Sequence, residues 1–143
     1  MTREEKELLF KDLSARLPYG VKAYVRNWSK LDRKYYEGVY IVNTICPSLN
    51  NVLVTSDKFS VEVIVGYDDY EIKPYLFPLS SMTDEQKQEL YNLMEESAFQ
   101  IIHSEDGNPQ PHIAMDWYNK NHFDYRGLIP MGLANNATGL NIY

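Results

Sequence analysis

The spacing of apolar positions changes twice along the chain. In MTREEKELLFKDLSARL, Leu9, Leu13 and Leu17 recur every four residues, and Leu8 and Phe10 widen the stripe. That spacing predicts an amphipathic helix over residues 2–17. Thr2, with Glu5 three positions later, has the spacing of a capping box, in which hydroxyl and carboxylate satisfy backbone N–H groups reciprocally. Pro18 ends the element, because a proline disfavours helical geometry in the residue before it. From residue 20 the period becomes two: Val21, Ala23 and Val25 alternate with Lys22, Tyr24 and Arg26. YYEGVYIVNTI (35–45), VLVT (52–55) and FSVEVIV (59–65) follow, separated by turn clusters such as CPSLNN and GYDD, with a last short strand at YEI. Short strands with turns between them predict an antiparallel meander over residues 20–73, curled into a small, SH3-like β-barrel.

Residues 74–82 contain two prolines and no clear period, so they read as an extended connector whose Tyr75, Leu76, Phe77 and Leu79 lie on the barrel. The helical period then returns. Thr83 and Gln86 form a second capping-box pattern, and Leu90, Leu93 or Met94, Ser97 or Ala98, and Ile101 form an inward stripe. HSEDGNPQP (103–111) is a predicted loop, and HIAMDWYNKN a short third helix with Ile113 and Trp117 one turn apart. The whole reads as a single α+β domain over residues 1–143: a small antiparallel β-barrel with one helix before it and two in the helical part, 83–143.

Charge and composition narrow the function. The net charge is −6, yet residues 1–36 hold nine Lys or Arg against five Asp or Glu. A general polyanion binder is disfavoured, because the basic character is confined to the first quarter. No apolar run approaches the roughly 20 residues needed to span a bilayer, and the first residues lack the apolar core of a secretory signal. A single cysteine, Cys46, cannot form an internal disulfide. These features make the cytoplasm the expected location, with no membrane partner. The oligomeric state is not legible. Twelve Tyr stand out, a side chain suited to half-buried strands and to contact surfaces.

HFDYRGLIP (122–130) and its neighbours pose the main question, whether this polar cluster is a reaction site, a recognition surface or the edge of a core. An enzymatic reading uses His112, Asp116, His122 and Asp124. His112 and Asp116 share a helix face at i, i+4, and imidazole with carboxylate suits Zn²⁺, Mn²⁺ or Fe²⁺ in a metal-dependent hydrolase. No recognised metal spacing supports it. His103 with Glu105 and Asp106 lies in a loop better read as solvated, and Cys46 as a small buried hydrophobe. No nucleophile elbow, Walker or dinucleotide-binding motif is present, so no cofactor is called for, no catalytic residue is assigned, and the balance is against an enzyme.

Two binding readings remain. In KAYVRNWSKLDRKYY, the cations Lys22, Arg26, Lys30, Arg33 and Lys34 are interleaved with aromatics, among them Tyr24 and Trp28. That combination suits single-stranded nucleic acid, with cations on phosphates and rings on bases. Alternatively Trp117, Tyr118, His122, Asp124, Tyr125 and Arg126 have the composition of a protein-binding hot spot. Phe123, Leu128, Ile129 and Leu133 read as core, and an Asp–Arg pair in this segment would lock the chain down. The preferred reading is a small binding or adaptor module that contacts another protein.

IKPYLFPLSSMT, NHFDYRGLIPMGLA and EEKELLFKDLSARLPYGVK resemble a family of small uncharacterised proteins encoded in gut Bacteroidales genomes and their phage or mobile elements. Residues 26–65 match it less clearly, and the stretch after Ala134 departs from it. The resemblance transfers no catalytic role. It implies an intracellular bacterial or phage protein acting on host or phage macromolecules.

Overall fold

A computed structural model describes residues 1–103 and 112–143, with side chains described for 1–96 and 113–143. Helix α1 spans Arg3–Arg16, and its capping box is formed: Glu5 N–H donates to Thr2 Oγ1 at 3.1 Å, and Thr2 N–H to Glu5 Oε2 at 2.7 Å. Strands β1 (Lys22–Ser29), β2 (Lys34–Cys46), β3 (Asn51–Thr55), β4 (Ser60–Ile64) and β5 (Tyr70–Leu76) follow. Helix α2 is Asp84–His103 and α3 is His112–Lys120; a two-residue β6 (Asn135–Asn136) completes the elements. The Thr83–Gln86 box is also made, with Gln86 N–H on Thr83 Oγ1 at 3.2 Å and Thr83 N–H on Gln86 Oε1 at 2.9 Å.

The strand order is β4-β3-β2-β1-β5-β6, antiparallel throughout except for the parallel β5–β6 pair. The α+β class and the three helices agree with the pattern of apolar residues; the closed SH3-like barrel does not. β4 and β5 are joined by only Val65–Asp69, which contains the left-handed Gly66 (φ 91°), so the sheet must curl to bring them near each other. No ladder joins them. Met131, Gly132 and Leu133 line a depression of 400 Å³ along the seam with Val63, Val65 and Ile72, and Leu133 is buried in the core. Leu9, Phe10 and Leu13 of α1 join the inward residues Ala23, Val25, Tyr40, Val42, Val52, Val54, Val63 and Ile72 in that core. A helix and a loop thus close the core where strand pairing was expected.

The connector expected at 74–82 is shorter than its prolines implied, because β5 runs through Pro74 to Leu76. Trp28 N–H donates to Asp69 O at 2.9 Å. By antiparallel alternation Glu71 and Lys73 face β1, while Ile72 and Pro74 present their backbone to the seam, where a missing N–H costs nothing. On α2, Leu90 is buried and Leu93 half-buried, while Met94 faces solvent; the side chains of Ser97, Ala98 and Ile101 lie outside the described residues, as do His103, Glu105 and Asp106. Leu90 joins Trp117 and Phe123 in a second, smaller cluster, where the Trp117 and Phe123 rings stack at 5.5 Å.

Leu13 has no solvent exposure. Leu13→Ala should therefore lower stability by about 2–5 kcal/mol, seen as a lower urea midpoint at unchanged slope. A loss under about 1 kcal/mol would mean that α1 does not complete the sheet's core.

Candidate functional site

After Lys120 the chain turns back on α3 through a Schellman arrangement. His122 N–H donates to Asn119 O at 3.2 Å and Phe123 N–H to Tyr118 O at 2.9 Å, with His122 left-handed at φ 60° where glycine is usual. The reversed segment then docks beside β5: Phe77 N–H donates to His122 O and Asp124 N–H to Phe77 O, both at 2.8 Å. Asp124 Oδ1 and Oδ2 accept from the backbone N–H groups of Leu128 and Ile129, each at 2.8 Å, closing the turn that holds Gly127 at φ 77°.

Beneath this segment lies a fully buried ion pair. Arg16 Nε and Nη2 donate to Asp12 Oδ2 and Oδ1 at 2.8 and 3.0 Å, and neither side chain has solvent exposure. Arg16 Nη2 also donates to Phe123 O at 2.8 Å and Nη1 to Tyr118 O at 3.5 Å; Arg126 Nη1 reaches Asp12 Oδ1 at 2.9 Å. The rings of Tyr118 and Tyr125 stack at 5.4 Å, and the guanidiniums of Arg126 and Arg16 lie 4.4 and 5.6 Å from the Tyr125 centroid. His122 stacks on Tyr143 at 3.7 Å. The Tyr143 hydroxyl accepts from Lys22 N–H at 3.0 Å, donates to Tyr75 O at 2.9 Å, and is pushed up to about 12 by burial.

The predicted recognition edge is therefore interior. Trp117, His122 and Asp124 are buried, Tyr118, Tyr125 and Arg126 half-buried. The Asp–Arg lock exists, but Arg126 pairs with Asp12 of α1 and not with Asp124, whose oxygens are taken by backbone. Burial, then the charges of Arg16 and Lys22, hold the His122 imidazole down to about 4, so it is neutral at pH 7. Trp117 Nε1, Asn119 Oδ1, His122 Nδ1 and Tyr125 Oη have no hydrogen-bond partner among the described residues.

The metal reading does not assemble. Asp116 is exposed on α3, His122 and Asp124 are buried in the turn, and the His112 side chain lies outside the described residues. Among the described residues no group of three or more His, Cys, Asp or Glu could hold an ion. Cys46 is half-buried, with Sγ 3.4 Å from Ser48 Oγ, rather than a core hydrophobe.

The basic-aromatic stretch divides in two. Lys22 Nζ donates to Ile142 O at 2.7 Å. The Tyr24 hydroxyl donates to Glu37 Oε2 at 2.7 Å and is raised to about 12, by burial and then by that carboxylate. Arg26 lies 3.5 Å from Glu71, a charge contact without hydrogen-bond geometry, and 4.7 Å from the Tyr35 ring centroid. Trp28 meets the Tyr35 ring edge-on at 4.9 Å. Of its cations, Lys30, Arg33 and Lys34, at the β1–β2 turn, are exposed.

Two features escaped the sequence reading. Asp12 and Arg16 sit at i+3 and i+7 from Leu9, on the buried face of α1, a signal that was present but resembles an ordinary surface pair. On β2, Val39 and Ile41 face outward while Tyr40 and Val42 face inward, so GVYIV is apolar on both sides. Compared with family models, curated proteins and solved structures, the chain gives no match.

Asp12→Ala should cost about 3–5 kcal/mol, because it strands Arg16 in a dry site. Adding Arg16→Ala should cost little more, and additive losses would mean that the two side chains act separately. Between pH 6.5 and 4 the unfolded chain takes up a proton at His122 that the folded chain refuses, so stability should fall as pH drops through that window. His122→Asn tolerates the left-handed backbone and should flatten this slope in melts taken across the range; an unchanged slope would exclude His122 as its source.

Proposed function

We propose that this protein is a non-catalytic binding module that engages another protein through the outward face of its curled sheet. The observation that carries the reading is the exposure of Val39, Ile41 and Leu53, at 44%, 44% and 37%, in the middle of that face. Val39 and Ile41 are outward neighbours along β2, and Leu53 on β3 faces the same side opposite Thr44, past the register shift between Val42 and Thr44. A solvated antiparallel face is ordinarily polar at such positions, and aliphatic side chains exposed on one face with a polar rim mark contact surfaces. The rim is made of groups already paired with each other, Tyr24 with Glu37 and Lys73 with Glu71 at 2.9 Å. Burying these side chains would leave few lone charges. Val39, Ile41, Asn43 and Thr55 line a depression of 360 Å³, room for an inserted side chain.

Two groups that looked chemical in the sequence support this reading by being committed elsewhere: Asp124 to a turn and His122 to a stack. Nucleic-acid binding over the whole of residues 22–36 has less support, because Lys22 and Arg26 face internal acceptors. In the cytoplasmic, bacterial or phage setting we adopt, the partner is a host or phage protein.

Ile41→Asp combined with Leu53→Asp should leave the melting temperature within a few degrees. It should cut recovery of captured bacterial protein about thirtyfold, the effect of losing a contact worth on the order of 2 kcal/mol. Capture at wild-type levels by the folded double variant would dismiss the face as the contact surface.

A further inference from the structure

The β1–β2 hairpin extends beyond the rest of the sheet. β3 pairs with β2 only from Ile41 onward, and β5 reaches along β1 only to Asn27, with one further bond at Trp28. Residues 28–35 therefore form a two-stranded arm whose end stands roughly three residues, about 10 Å, past its neighbours. At its apex Leu31 is 92% exposed, the highest value of any large apolar side chain described. Lys30, Arg33 and Lys34 surround it, all exposed. Asp32, also exposed, bonds within the hairpin: its Oδ2 accepts from the Tyr36 hydroxyl at 2.5 Å and from Ser29 Oγ at 3.4 Å, and its N–H donates to Ser29 Oγ at 3.3 Å. Arg33 holds φ at 53°, where glycine or asparagine would be relaxed. A strained backbone position is thus given to a cation at the tip.

We propose that this tip docks the protein on an anionic lipid bilayer, with Leu31 entering the boundary between headgroups and acyl chains and Lys30, Arg33 and Lys34 meeting lipid phosphates. Three observations favour a membrane over a nucleic acid. An exposed leucine at the apex has no use against a phosphate backbone, whereas a short apolar insertion ringed by cations is what an interfacial contact needs. Two rings below the tip each already carry a cation, Tyr35 that of Arg26 and Tyr36 that of Lys34, both 4.7 Å from the centroid, and base stacking there would compete with these contacts. Trp28 and Tyr35 lie one layer back from Leu31, the depth at which amphipathic rings settle at a bilayer surface. No helix among the described residues is long and apolar enough to cross a membrane, and a surface contact needs none.

The test is cosedimentation of the full chain with phosphatidylcholine vesicles containing about one-third phosphatidylserine, against phosphatidylcholine alone. Trp28 emission supplies a second readout, because Trp117 is buried and should not respond. The proposal expects binding to the anionic vesicles with a blue shift. It expects a loss of about tenfold in Leu31→Asp, and of about a hundredfold in the combined Lys30→Gln, Arg33→Gln and Lys34→Gln variant. Raising the salt from about 0.1 M to about 1 M, which shortens the screening length from about 10 Å to about 3 Å, should release it. All four side chains are exposed, so the variants should melt as wild type. Equal binding to neutral vesicles, no vesicle binding at all, or full binding by Leu31→Asp would each overturn the proposal. Binding of a single-stranded oligonucleotide that the triple variant loses and Leu31→Asp keeps would overturn it in favour of nucleic acid.

Discussion

A guanidinium cut off from water must find its acceptors inside the protein, and Arg16 finds them on two segments far apart in sequence. Asp12, one helical turn away, supplies both carboxylate oxygens; the carbonyls of Phe123 and Tyr118 supply the rest. Removing water from such a pair costs several kcal/mol per ion, recovered only when geometry and hydrogen bonding are good. The segment that follows α3 must therefore lie where those two carbonyls meet α1. That placement sets the turn at His122, the bridge to Phe77, the course of residues 128–134 and hence the cover over the β4–β5 seam.

The sheet is built around the same constraint. Its inward face packs on α1, so its outward face is left to solvent, and there the chain keeps aliphatic side chains as well as a projecting hairpin. The residues with the most suggestive chemistry thus hold the fold, while the outward sheet face exposes the aliphatic Val39, Ile41 and Leu53 and the hairpin exposes the cations Lys30, Arg33 and Lys34.

What the sequence disclosed was mostly local. Both capping boxes, the apolar stripe of α1 and the alternation at the start of β1 follow from interactions between residues a few positions apart, and the structure shows them as read. β5 was cut short because two prolines look like a break; nothing local says that the Pro74 nitrogen faces a seam. Barrel closure was misjudged for a related reason, since alternation shows that one face is buried but not whether strands, a helix or a loop covers it. The polar run at 117–126 was recognised as special, and the suggestion that it anchors the chain has a structural basis in the clamp. Its exposure was not legible, because partners such as Asp12 and Phe77 lie many residues away. Val39 and Ile41 went unremarked because an apolar run on both faces looks like ordinary strand.

The clamp also bears on how the chain is made. Asp12 and Arg16 leave the ribosome more than a hundred residues before Phe123 and Arg126, with separations of 107 and 114 for the two bonds that join them. At roughly 5–20 residues per second, that is a wait of about 5–20 seconds. During it the strands can pair while α1 carries an ion pair without its lid. The nascent domain is then a sheet awaiting its fastening, and water can reach its charged centre until the last quarter of the chain arrives.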